Sequence, residues 1–288
     1  MANMYHVRSN SFPSVSHPSS IRIEEELSKM RTWEATSTSN SESIGTGLSL
    51  LEDLFICFED FLNMASTQKV ISNHQGQKCM EEVLDGSVRV LDICGITRNT
   101  VSQVKENAQA LHSALRRRKG DSSIEKSVAE YNLFTRKMKR SAKKLISSLK
   151  QMESKFGSST VLNQDQDAVI RVLREVITMN LSIFQTILSY LAVPASKAKN
   201  TKWLMVAKLM HKRVTSCEEN SQNLNELQCV EGSLSTLLGE GANVLKVQAL
   251  REGLEGLENA IESIENGLER MFRRLVRTRA NLLNIMTP

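Results

Sequence analysis

Apolar residues along this chain recur at steps of three and four rather than two, the spacing that gives a helix one buried face. The sharpest run lies near the C-terminus: Leu250, Leu254, Leu257, Ile261, Ile264, Leu268, Met271, Leu275, Thr278, Leu282 and Ile285 step by four and three in strict alternation. That is a seam of the coiled-coil a/d kind, interrupted at Thr278 by one polar residue. Gly253, Ala260 and Gly267 stand beside it at the g positions. Glycine inside a helix costs about 1 kcal/mol against alanine, so three small residues in register predict a neighbouring helix at close range. The neighbour is expected within the chain, as in a bundle, with a second copy of the chain as the alternative.

The same period organises most of the remaining sequence. A polar Ser/Thr/Asn linker over 35–43 ends in an expected N-cap, followed by a helix with Leu48, Leu51, Phe55, Phe58 and Leu62 on one face. A helical region from about Gln77 to Lys119 offers Met80, Leu84, Val88, Leu91, Val101, Val104, Leu111 and Leu115 to the core, with Gly95 as a candidate kink. Its end is marked three ways. Arg116, Arg117, Arg118 and Lys119 complement the negative end of the helix dipole, Gly120 suits a C′ position, and Ser122 with Glu125 makes a capping box for the next helix. In that helix Ile124, Val128, Tyr131, Met138, Ala142, Leu145, Leu149, Met152 and Phe156 share a face until Gly157 and Ser158 break it.

From about Gln164 to Leu191 another helix follows, and from Val176 to Ser196 no side chain is charged, roughly the length that spans a bilayer. Thr178, Asn180, Ser182, Gln185, Thr186 and Ser189 are spread through that stretch and Pro194 ends it. The expectation is therefore a central helix buried on nearly all sides rather than a transmembrane span. After Pro194 a helix is expected from near Thr201, with Trp203, Leu204, Leu209 and Val214 apolar, and Leu224, Leu227 and Val230 further on; Gly239 and Gly241 mark the last break.

Composition agrees with the periodicity: 40% hydrophobic and 24% charged residues, with 4 Pro and 13 Gly in 288 residues, describe an ordinary globular core made of helices. The fold class expected is all-α, a multi-helix bundle of long antiparallel helices with a disordered N-terminal tail. Residues 1–43 read as that serine-rich tail and linker, with a short helix over 21–34, and residues 44–288 as a single bundle domain. The five cysteines, Cys57, Cys79, Cys94, Cys217 and Cys229, are odd in number and form no Cys-x-x-Cys, so they read as free thiols of a reducing compartment. A cytoplasmic address is expected. The Ser-rich, acid-free stretch before Arg22 leaves a chloroplast or other organellar transit peptide as the alternative.

No catalytic residue, cofactor site or metal site is expected. The phosphate-cradling Gly-x-x-x-x-Gly-Lys-Ser/Thr run is missing, and Gly45-Thr46-Gly47 reads as a helix entry. His6, His17, His74, His112 and His211 have no Cys, Asp or Glu at metal-ligand spacing, and Glu81-Glu82 and Glu218-Glu219 point to different helix faces. An active site assembled from residues distant in sequence is invisible to this reading.

Charge offers two candidate surfaces. Arg136, Arg140, Lys143 and Lys150 form a stripe flanked by Lys137, Lys139, Lys144 and Lys155, and Arg270, Arg273, Arg274, Arg277 and Arg279 form a second cluster. Either would attract phosphorylated lipid headgroups or an acidic protein, although at a net charge of +5 a solvated face or a dipole complement is the simpler account. No nucleic-acid partner is expected: aromatics are 5% of the chain and none interleaves with the stripe. In the tail, Arg8 stands three residues before Ser11 and Pro13 two after it, a pattern that phosphoserine-reading adaptors of the 14-3-3 type accept once Ser11 is phosphorylated.

Several segments carry a family resemblance. They are 6–13, Arg31-Thr32-Trp33-Glu34, Gly86-Ser87-Val88-Arg89 with Leu91-Asp92-Ile93-Cys94-Gly95, His112-Ser113-Ala114-Leu115-Arg116-Arg117-Arg118, and Phe272-Arg273-Arg274-Leu275-Val276-Arg277-Thr278-Arg279. Together they resemble the plant-specific BYPASS-like family over nearly the whole chain. The resemblance implies a plant source, an association with root and shoot development through a root-derived mobile signal, and no established enzyme activity. The reading is a non-enzymatic helical interaction and regulatory protein of plant growth that works through other proteins. A peripheral membrane protein using the basic stripe is the alternative, and an enzyme of mobile-signal metabolism is the third. Oligomeric state is left open.

Overall fold

A computed structural model describes residues 17–72, 74–117, 121–156, 164–192, 224–240 and 244–286. Among them are eight helices and no strand: α1 (Pro18–Thr36), α2 (Ser41–Leu62), α3 (Ala65–Ile71), α4 (His74–Arg116), α5 (Asp121–Phe156), α6 (Gln164–Ala192), α7 (Glu226–Glu240) and α8 (Val244–Met286). The fold is the expected all-α bundle. Its backbone is the pair α4 and α8, 43 residues each and therefore about 64 Å long. They run antiparallel: His112 meets Glu258, Lys105 meets Glu265, Arg98 meets Glu269 and Ser87 meets Arg279.

The α8 seam is buried from Leu250 to Leu282, Thr278 included. Its small-residue flank faces helices of the same chain. A β-carbon on Gly267 would lie 2.7 Å from Leu48 Cδ1 of α2, and one on Gly253 would lie 3.6 Å from Val230 Cγ2 of α7. On the opposing face of α4, Met80, Val101, Val104, Leu111 and Leu115 are buried as expected, and the departure is confined to Leu84, Val88 and Leu91. Val88 is exposed and Leu84 and Leu91 are half-buried, whereas Val83, Val90, Cys94, Thr97, Val101, Val104, Ala108, Leu111 and Leu115 are buried. With Ser87 between Val83 and Val90, these residues form their own run of fours and threes. Small and polar members conceal it, because α4 must pass close to the bulky seam of α8.

Helix α1 is longer than the short helix expected and buries Ile23, Leu27, Met30 and Trp33. The Trp33 indole donates Nε1–H to the Ser43 carbonyl at 2.8 Å and lies across Gly47. Any β-carbon on Gly47 would also meet Ile183 Cδ1 at 2.6 Å, so glycine is what lets α1, α2 and α6 converge there. Helix α2 is capped by Asn40, whose Oδ1 accepts the Ser43 N–H at 2.8 Å, while the Ser43 hydroxyl accepts the Thr38 N–H at 3.2 Å. The cap thus sits three residues before the expected end of the linker. The seven-residue α3 has no signal in the periodicity. Helix α4 runs through Gly95 without a break.

In α5, Val128, Tyr131, Met138, Ala142, Leu149 and Met152 are buried on the expected face. In α6 every residue from Met179 to Phe184 is buried, and no described helix is long and apolar enough to cross a membrane. Helix α7 starts on a reciprocal cap. The Asn225 side chain accepts the Gln228 N–H at 2.9 Å, the Gln228 side chain accepts the Asn225 N–H at 3.0 Å, and Asn225 Nδ2 donates to the Tyr190 carbonyl at 3.0 Å, which seats α7 on the last turn of α6. The Gly120 turn, the Ser122 side chain, the Gly157-Ser158 break, Pro194, Cys217, Gly241 and the helix expected from Thr201 lie outside the described residues.

Candidate docking surface

From Tyr131 to Met152 helix α5 has no acidic residue and seven basic ones: Arg136, Lys137, Lys139, Arg140, Lys143, Lys144 and Lys150. At 3.6 residues per turn they span an arc of roughly 160° opposite the buried face, over about 21 Å from Arg136 to Lys150. Lys139 stands at the edge of that arc and is committed: its Nζ lies 2.6 Å from Glu231 of α7, both side chains being largely covered. The other six are exposed, and among the described residues none of them forms an ion pair. Leu133, 55% exposed, projects from the same side of α5, three residues before Arg136. A surface groove of about 300 Å³ runs beside it between α5 and α7, lined by Asn132, Arg136, Lys139, Glu231, Ser235 and Leu238 among others.

The second basic cluster has a different setting. Arg270 and Arg274 both reach Glu52 of α2, at 3.0 and 3.9 Å, and Arg277 reaches Glu59 of α2 at 3.2 Å. Arg273 pairs within α8 with Glu269 at 3.0 Å, and Arg279 donates to the Leu84 carbonyl and to Ser87 Oγ of α4, each at 2.7 Å. Glu59 is buried, so Arg277 compensates a carboxylate held in the protein interior. All but Arg273 tie α8 to α2 or α4.

Other candidate chemistry is dispersed. His112 is buried with Nδ1 2.9 Å from Glu258 Oε1, a pairing across 146 positions that sequence spacing could not show. Among the described residues no group of three His, Cys, Asp or Glu side chains could hold a metal ion. Burial pushes the Cys94 thiol up to about 12 and raises those of Cys57, Cys79 and Cys229, which suppresses the nucleophilic thiolate. The Tyr131 and Tyr190 phenols are also raised, by burial first and then by Glu231 and Glu226 respectively. Arg8, Ser11 and Pro13 lie outside the described residues.

The family described as Protein BPS1 matches residues 47–285, from the second turn of α2 to the last turn of α8. The chain belongs to the BPS1 family. This is the BYPASS-like plant family that the sequence segments resemble, and its biochemical function is unknown. No curated protein and no solved structure matches the chain. Both basic clusters fall within the BPS1 match, whereas α1 and the Ser11 motif precede it.

Proposed function

We propose that this BPS1 protein is a non-enzymatic docking protein of plant growth control, and that the outward face of α5 binds an anionic membrane surface. The observation that supports this reading is six exposed cations on one helix face, none of them ion-paired among the described residues. A flat lipid surface is the partner that suits them: the face is long and uniform, and Leu133 adds an apolar contact at its N-terminal end. Each Lys or Arg near an anionic bilayer contributes about 1 kcal/mol, and a polybasic patch joined to an apolar contact meets the two-signal requirement for stable peripheral binding. Anionic lipids concentrate on the cytoplasmic leaflet, which agrees with a reducing compartment for the thiols.

Co-sedimentation of the full chain with vesicles tests the proposal. Phosphatidylserine-containing vesicles should retain the protein at low salt and release it as ionic strength rises, with neutral phosphatidylcholine vesicles retaining little. Equal retention by both vesicle types overturns it.

A further inference from the structure

The four most exposed large apolar side chains among the described residues gather at one end of the bundle. Leu133 of α5 is 55% exposed, Leu238 of α7 58%, Val244 of α8 81% and Leu245 76%, and no other large apolar side chain among the described residues exceeds 47%. Helix packing brings them together. Lys139 meets Glu231, and Asn132 lines one groove with Leu238, so α5 and α7 run antiparallel and Leu238 comes level with the residue next to Leu133. Gly253 of α8 faces Val230 of α7; eight residues on from Val230 is Leu238, and eight back from Gly253 is Leu245. Three helices thus carry the four side chains to the place where α7 ends and α8 begins.

Apolar residues scattered singly over a surface need no account, whereas a cluster at one place marks contact with another apolar phase. Exposure selects the kind of phase. At 81% exposure Val244 protrudes beyond its neighbours, so whatever covers it must close round it from all sides. Acyl chains do that, and a helix laid against the bundle covers one side only. Charge narrows the choice further: Arg136 lines the groove with Leu238, follows Leu133 by three residues, and belongs with Lys137 to the basic face of α5. Apolar side chains bordered by cations match a partner that is apolar inside and anionic at its rim, which describes a bilayer interface. We propose, resting on the membrane reading above, that Leu238, Val244 and Leu245 form a wedge that enters the acyl layer of an anionic membrane while the α5 cations hold its headgroups. The wedge fixes which end of the bundle meets the membrane.

The double substitution Val244→Ser with Leu245→Ser in the full chain tests the wedge, read by co-sedimentation with phosphatidylserine-containing vesicles. Affinity should fall roughly tenfold per side chain, about 100-fold for the pair. The thermal midpoint should stay within about 2 °C, since both side chains already face water in the folded chain. Parent and variant that bind these vesicles equally well overturn the wedge and leave the basic face standing. A parent that they retain no better than neutral vesicles do removes the membrane reading and the wedge with it. A parent that is dimeric in solution, with a variant that is monomeric, assigns these side chains to a second copy of the chain and overturns the wedge as well.

Discussion

The basic residues of α5, seven with five lysines, and those of α8, five arginines, each cluster within a few helical turns, yet they occupy opposite situations. On α8, Arg270, Arg274 and Arg277 each meet a carboxylate of α2, and Arg279 caps a carbonyl of α4. On α5, only Lys139 finds a carboxylate among the described residues. A charge that is already paired has its field largely cancelled and its geometry committed, and a free one keeps both for a partner. Basic patches are thus told apart by what stands opposite them, and among the described residues the α5 patch is the one whose cations stay unpaired.

The largest expected effect tests that contrast directly. Replacing Arg136, Arg140, Lys143 and Lys150 together by Gln should remove about 1 kcal/mol of vesicle affinity per site, a loss of roughly 1,000-fold on phosphatidylserine-containing vesicles. The thermal midpoint should stay within about 2 °C, since exposed unpaired cations add little to stability. Unchanged sedimentation would remove the distinction between the clusters. Next in size, Arg277→Ala leaves the buried Glu59 carboxylate without its partner and should cost about 2 kcal/mol by denaturant unfolding. That is below the usual figure for a broken buried pair because Arg277 itself is 65% solvent-exposed at its side chain. Glu59→Gln in the same background should recover part of the loss, and vesicle binding should not change.

A finer test lies within α5. Lys139→Met breaks the half-buried pair with Glu231 and should cost about 1 kcal/mol of stability while shifting vesicle affinity by less than about threefold. A larger loss of affinity would place Lys139 on the docking face. A last test touches neither cluster and comes from pH. Cys94 in the folded chain holds its proton up to about 12, against 9.0 for an ordinary thiol, because burial penalises the thiolate. The unfolded chain releases that proton first, so this contribution to stability is complete below pH 9.0 and is lost as pH climbs toward 12. The slope is at most about 1.4 kcal/mol per pH unit. Unfolding midpoints measured across that window should fall less steeply for Cys94→Ala than for the parent, at a lower overall stability.

Much of the fold was legible because a helix that buries one face must repeat its apolar residues every three or four positions. The α8 seam, the α5 face and the buried α6 all follow from that one constraint. The rule failed where packing calls for small residues. On α4 the buried run passes through Ser87, Cys94, Thr97 and Ala108, and the large Val88 that periodicity favoured faces solvent. The reciprocal cap of Asn225 and Gln228 did have a local signal, an Asn-x-x-Gln spacing ahead of an apolar run.

For the candidate surface, the sequence by itself determined that α5 would turn a basic face away from its apolar one, since both follow from the same helical period. Only the tertiary structure decided that, among the described residues, six of the seven cations of this face meet no carboxylate while four of the five clustered arginines of α8 are tied to α2 or α4. Glu52 and Glu59 lie more than 200 positions before those arginines, and charges so far apart in sequence meet only when α2 and α8 are packed side by side. Helical period is a property of neighbours along the chain, and charge compensation is a property of neighbours in space.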